Sequence, residues 1–152
     1  MKVLQLLCVV LVLALTGCQP QSGSTVSMKA EYLTSEGSSN RPFSEAVRVG
    51  NMLYLSGTIG HDPATGKRPE GGIVPETHQA LQNMKATLEK YGSSLDHVVK
   101  VTVMIGDMKD FGDMNAVYVT YFPNHKPARS TFGASGLAGG AALEIECVAV
   151  IP

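Results

Sequence analysis

Leu143-Glu144-Ile145-Glu146-Cys147-Val148-Ala149-Val150 repeats with a period of two, the spacing of a β-strand whose successive side chains point to opposite faces. Leu143, Ile145, Cys147, Ala149 and the following Ile151 share one face, while Glu144, Glu146, Val148 and Val150 share the other. The first face belongs in a core. The second carries valines at one end and carboxylates at the other, and the helices of a chain this small cover only one side of a sheet. The exposed side therefore calls for a partner. A ring of identical subunits would bury the valines and leave the carboxylates facing the seam between chains, where a pocket can form.

Just upstream, Pro127-Ala128-Arg129-Ser130-Thr131 lodges one arginine among small and apolar residues, in a short extended piece over residues 129–132. A guanidinium stays protonated under physiological conditions and matches a carboxylate in two parallel hydrogen bonds, so Arg129 needs an anion. That anion is either a protein carboxylate in a structural ion pair or a small organic acid. Val99, Val101, Val103 and Ile105 alternate with Lys100, Thr102 and Met104, which gives another strand with one apolar face.

Two helices complete the pattern. Ala80, Leu81, Met84, Leu88 and Tyr91 recur at three- and four-residue spacing, with Pro75 at the expected start and Gly92 at the stop. Asp107 is the expected cap of a second helix with Phe111, Met114, Val117 or Tyr118, and Tyr121 facing inward, ended by Pro123 and Pro127. Residues 46–49 and 52–59 read as a hairpin turned at Gly50-Asn51, followed by a loop over residues 61–72. The order is β-β-α-β-α followed by the short extended piece and the long last strand, an α/β (α+β) arrangement in one domain over residues 28–152.

The N-terminus reads differently. Residues 3–15 form an apolar run broken only by Gln5, preceded by Lys2 and too short to span a bilayer, for which about 20 residues are needed. The run ends in Leu15-Thr16-Gly17-Cys18, which resembles the lipobox of bacterial lipoproteins, so residues 1–17 are expected to be a lipoprotein signal peptide and Cys18 the lipidated residue. Residues 18–27 read as a flexible tether rich in Gln, Ser, Gly and Thr. The expected location is the cell envelope or periplasm, anchored to a membrane by lipid alone, with a weak preference for the outer membrane because Gln19 is not acidic.

Composition narrows the chemistry. With 12 basic and 13 acidic residues and a net charge of -1, the chain offers no excess of positive charge to nucleic acid. Cys147 is the one cysteine outside the signal and lipid site, which excludes a disulfide framework and makes it a small core residue. His61, His78, His97 and His125 are scattered with no carboxylate or cysteine at ligand spacing, so no metal site is expected. Gly60 to Lys67 departs from phosphate-loop spacing, and Gly133, Gly136 and Gly139 precede a strand where a dinucleotide fingerprint precedes a helix.

Several motifs in order carry a resemblance: Arg41-Pro42-Phe43-Ser44-Glu45-Ala46-Val47, Gly50 to Gly60 with its Ser56-Gly57-Thr58, Asp110-Phe111 with Met114-Asn115, Tyr121-Phe122, Pro127 to Thr131, and Glu144-Ile145-Glu146. Over residues 43–151 the chain resembles the RidA/YjgF family of enamine and imine deaminases. The resemblance implies a chorismate-mutase-like fold, a mixed sheet with two helices on one face, assembled as a homotrimer with clefts between subunits. It implies hydrolysis of 2-imino acids, derived from 2-enamino acids such as 2-aminoacrylate, to 2-oxo acids and ammonia, with no cofactor. Arg129 matches the arginine that clamps the substrate carboxylate, and Glu144 the acid that holds or activates water. Ser56 and Asn115 match polar cleft residues, Phe43 an aromatic wall, and Thr131 a position where some members carry Cys. Phe43 stands where many members have Tyr, and Thr58 where Gln is usual. The alternative reading is a non-catalytic binder of small 2-oxo or other carboxylic acids that uses the same cleft.

Overall fold

Leu143–Val150 forms the central strand of a seven-stranded mixed sheet, in a computed structural model that describes residues 28–35 and 40–152. The expected signal segment, Cys18 and the tether to residue 27 lie outside the described residues. The strands are β1 (Ala30–Leu33), β2 (Ala46–Val49), β3 (Met52–Leu55), β4 (Thr58–Ile59), β5 (Val98–Ile105), β6 (Ala128–Gly133) and β7 (Leu143–Val150). They lie in the order β1-β2-β3-β7-β5-β6, and β4 pairs with β7 beyond the end of β3. β5 and β6 are parallel and every other pairing is antiparallel.

The alternation in β7 is obeyed: Leu143, Ile145, Cys147 and Ala149 are buried and Glu146 is exposed. Helices α1 (Ile73–Lys90) and α2 (Phe111–Tyr121) supply the other half of the core. Leu81, Met84 and Leu88 of α1, Met114 of α2 and Leu53, Val101, Val103 and Ile145 of the sheet are all almost fully excluded from water. Each such aliphatic side chain contributes about 1.5 to 3 kcal/mol. Burial pushes the Cys147 thiol up to about 12, with the charge of Glu146 adding to the effect, so it remains a protonated core thiol.

Element boundaries shift where local chemistry differs from the simple reading. Pro75 is the third residue of α1, inside the first turn where a missing N–H costs nothing, and Gly72 at φ 76° precedes the helix. At the other end the Gly92 N–H donates to Glu89 O at 3.2 Å and the Ser93 N–H to Leu88 O at 2.8 Å. This doubly bonded cap needs a left-handed residue, and Gly92 supplies it at φ 82°. A bulge between Val98 and Lys100 buries Val98 and leaves Val99 exposed, contrary to the expected alternation. The strand expected over residues 52–59 breaks at Ser56-Gly57, so β4 is a separate piece.

Asp107 caps a short 3-10 turn (Met108–Asp110) rather than α2 itself. Its Oδ1 accepts the Lys109 N–H at 2.9 Å, and the helix begins at Phe111. This bond holds the Asp107 carboxyl below its ordinary value of 3.8. A group so depressed stabilises the fold fully above its unfolded value, and the contribution fades as pH falls through the folded one. Asp107→Ala should therefore lower the unfolding midpoint at pH 7, and the difference from the parent chain should close as the pH of the melt is taken below 3.8.

Candidate active site

The register of the sheet separates the predicted site residues into two groups. Arg129 lies opposite Val101, which lies opposite Cys147, so the arginine points to the helix face. Glu144 lies opposite Met104 and therefore belongs to the other face. Among the described residues neither side chain has an ion-pair partner. The structural ion pair between Arg129 and Glu144 that the sequence leaves open is not formed within the chain.

Arg129 instead rests on one face of α2. Its Nη2 donates to Asn115 Oδ1 at 2.9 Å, its guanidinium carbon lies 4.4 Å from the centre of the Tyr118 ring, and Phe111 is 5.8 Å away. Residues 111, 115 and 118 follow helical spacing, so a single helix face makes the whole cradle. Tyr118 is buried, which pushes its phenol up in pKa, and the adjacent guanidinium partly offsets the shift. The cradle therefore orients the cation by a neutral amide and a ring face without cancelling its charge. Thr131, two residues on and facing the same way, has a buried hydroxyl with no hydrogen-bond partner among the described residues.

The second group surrounds Glu144. A side chain on Gly57 would fall on the Glu144 carboxylate, so the bare backbone at Gly57 gives the acid its place. Ser56 Oγ donates to Ser44 O at 2.7 Å, which commits the hydroxyl proton to pinning the segment that carries Phe43. That segment is held again at Glu45, whose carboxylate accepts from Lys90 Nζ at 2.8 Å, Tyr91 OH at 2.6 Å and Ser35 Oγ at 2.7 Å. The Glu45 bond raises the Lys90 pKa. Phe43, half exposed, Gly57, Thr58 and Glu144 line a common groove, and Ser56 lines its extension.

Glu76 is a positioning element that the sequence pattern does not reveal. It is buried at 3% exposure in the first turn of α1, accepts Arg68 Nη1 at 3.1 Å and takes the Ala142 N–H at 2.8 Å. Arg68 Nη1 also donates to Gly140 O at 2.6 Å. One carboxylate thus ties three segments together and fixes the chain two residues before Glu144. The one signal that could have found it is its place directly after Pro75, in the first turn of the expected helix, where an acid is favoured.

A mixed sheet backed by two helices places the chain among the α+β proteins. The chain belongs to the family described as Endoribonuclease L-PSP, whose model matches residues 34–151. It is 43% identical over 109 residues to the mouse protein named 2-iminobutanoate/2-iminopropanoate deaminase, covering 72% of this chain and 81% of that one. It is 38% identical over 132 residues to the chloroplastic Reactive Intermediate Deaminase A of Arabidopsis thaliana, covering 86% of this chain and 71% of that one. The crystal structure of the YjgF gene product of E. coli superposes with a TM-score of 0.74 at 32% identity, covering 80% of this chain and 99% of that chain.

The cradle makes a specific demand on Tyr118. A cation over an aromatic face is worth about 0.5 to 2 kcal/mol. Tyr118→Leu should therefore lower the free energy of unfolding by at least that amount in denaturant melts, while Tyr118→Phe, which keeps the ring, stays close to the parent.

Proposed function

We propose that the protein hydrolyses reactive 2-imino acids, which form from 2-enamino acids such as 2-aminoacrylate, to 2-oxo acids and ammonia, at sites assembled between copies of the chain. The observation that carries this reading is Arg129, a cation held in position with no carboxylate beside it among the described residues. The names of the mouse and Arabidopsis relatives point the same way. RNA, the substrate that the family's description names, finds no net positive charge to favour it in a chain with 12 basic and 13 acidic residues.

In this reading the substrate carboxylate receives two parallel N–H bonds from Arg129, each worth about 1.5 to 3 kcal/mol. Asn115 and Tyr118 keep the fork aimed, so the larger service is orientation. Glu144 of a second copy faces the imine carbon and accepts a proton from water as the water oxygen bonds to that carbon. The C=N electron pair moves to nitrogen. The resulting carbinolamine then passes its hydroxyl proton to nitrogen and the C–N bond breaks to leave ammonia, which takes back the proton held by Glu144, so one iminium plus one water become one 2-oxo acid and one ammonium ion. Phe43 offers an apolar wall without a hydroxyl, so protons move through Glu144 and water. Ser56 and Thr131 flank the substrate from the two sides.

The need for a second copy follows from the opposite faces occupied by Arg129 and Glu144. The outer sheet face supports it: Tyr54 is 45% and Phe132 49% exposed, and Val148 is only partly buried. We take the assembly to be a homotrimer, with the anchor on Cys18 tethering it in the cell envelope, and the outer membrane as the weakly preferred site.

Ammonia release from oxidase-generated imines tests the chemistry. Arg129→Ala and Glu144→Gln should each lose about 10²-fold or more in kcat/KM, and rates equal to the parent would remove the idea. Heat of binding without turnover would mark a binder of 2-oxo acids instead. If sites are shared, co-refolding the two variants in equal amounts should restore about one quarter of parental activity, because one arrangement in four pairs the intact arginine with the intact acid. For the anchor, Cys18→Ala should abolish lipid labelling and move the protein from the membrane to the soluble fraction.

A further inference from the structure

Residues 140–142 lead into β7 and so decide where Glu144 stands, yet a strand flanks them on one side only. On the β5 side the Gly106 N–H donates to Ala142 O at 2.9 Å, continuing the pairing of Ile105 with Leu143. On the other side β4 ends at Ile59, opposite Glu144, and the chain turns away at Gly60, where the His61 N–H folds back to Ile59 O at 2.9 Å. The backbone groups on that side are left to side chains.

An ion pair takes the place of the missing strand. Glu76 Oε2 accepts the Ala142 N–H at 2.8 Å, and Arg68 Nη1 donates to Gly140 O at 2.6 Å. The same Arg68 nitrogen donates to Glu76 Oε1 at 3.1 Å, so the two side chains are locked to each other as well as to the lead-in. Glu76 is almost fully buried while Arg68 sits at the surface, in the loop over residues 61–72. A buried carboxylate is costly without its cation, so each keeps its place only with the other. Downstream, the Glu144 carboxylate packs against the bare backbone of Gly57. A shift of the strand end would lift the acid from that seat.

We infer that Arg68 and Glu76 act as one positioning unit for Glu144: they touch neither the substrate nor the reacting atoms, and they set the acid by gripping residues 140–142 at one carbonyl and one N–H. The inference rests on the deaminase reading given above. Arg129 lies on the opposite sheet face and is held by α2, so the unit governs the chemical step and leaves the grip on the substrate carboxylate as it is.

The test makes two measurements on the purified full-length protein. One is kcat for imines generated in place by an L-amino-acid oxidase, and the other is calorimetry with 2-oxobutanoate, which gives Kd and the number of acid molecules bound per chain. Arg68→Ala and Glu76→Gln should each lower kcat about tenfold or more, within the roughly 100-fold that a misplacement of about 1 Å can cost, while Kd and the number bound stay at the parental values. Glutamine keeps the shape of Glu76 but has one acceptor oxygen for two donors. Arg68→Lys should recover part of the rate, because a single nitrogen makes both of the arginine's bonds. Parental kcat in Arg68→Ala and Glu76→Gln overturns the inference. So does a rate that falls only in step with the number of acid molecules bound, since the pair would then hold the fold and nothing finer. No turnover of any imine by the parent would bring down the deaminase reading itself, and this inference with it.

Discussion

A guanidinium in a partly buried setting ordinarily finds a carboxylate, and among the described residues Arg129 has none. Arg129 is held by an amide oxygen and an aromatic face, both neutral, so its orientation is fixed while its charge stays available. The pleat of the sheet adds the second constraint: an arginine in register with Val101 and a glutamate in register with Met104 stand on opposite faces of one copy's sheet. The proposed chemistry and the proposed assembly both descend from these two facts.

The remaining structure holds the two half-sites in place. α2 carries the whole cradle for Arg129, and its own seating depends on Met114 and Val117 packed in the core. On the other side the buried Glu76 fixes the approach to β7, and the bare backbone of Gly60 lets the end of β4 lie close against α1, since a side chain there would fall on the Glu76 backbone. The Ser35, Glu45, Lys90 and Tyr91 cluster binds the stretch bearing Phe43 to the end of the same helix. Buried polar groups of this kind are costly unless satisfied, and here each partner serves a placement as well as a balance of hydrogen bonds.

Periodicity made much of the fold legible. The alternation in β7 and the helical stripe of Ala80, Leu81, Met84 and Leu88 are long enough that no other secondary structure buries the same residues. Short or irregular pieces escaped it. β1 has four residues with mixed burial and no distinguishing pattern, and Val99 sits in a bulge that alternation cannot foresee. Asp107 was legible as a cap, yet a turn of 3-10 geometry stands between it and α2. Among the site residues, Arg129 and Asn115 meet, whereas Glu144 does not join them. Strand parity, which needs the register of three strands, decides that separation. Tyr118 and Glu76 act through packing and long-range contacts, and nothing in their local sequence distinguishes them from ordinary core and first-turn residues.

The central claim is that Arg129 keeps its charge for a guest carboxylate. A crystal structure of the protein grown with a 2-oxo acid tests it most directly. The account predicts the ligand's carboxylate in two parallel hydrogen bonds to Arg129 of one copy, with Glu144 of the next copy facing its carbonyl carbon. A guanidinium turned to solvent, or closed on a protein carboxylate with no room for the acid, would contradict it.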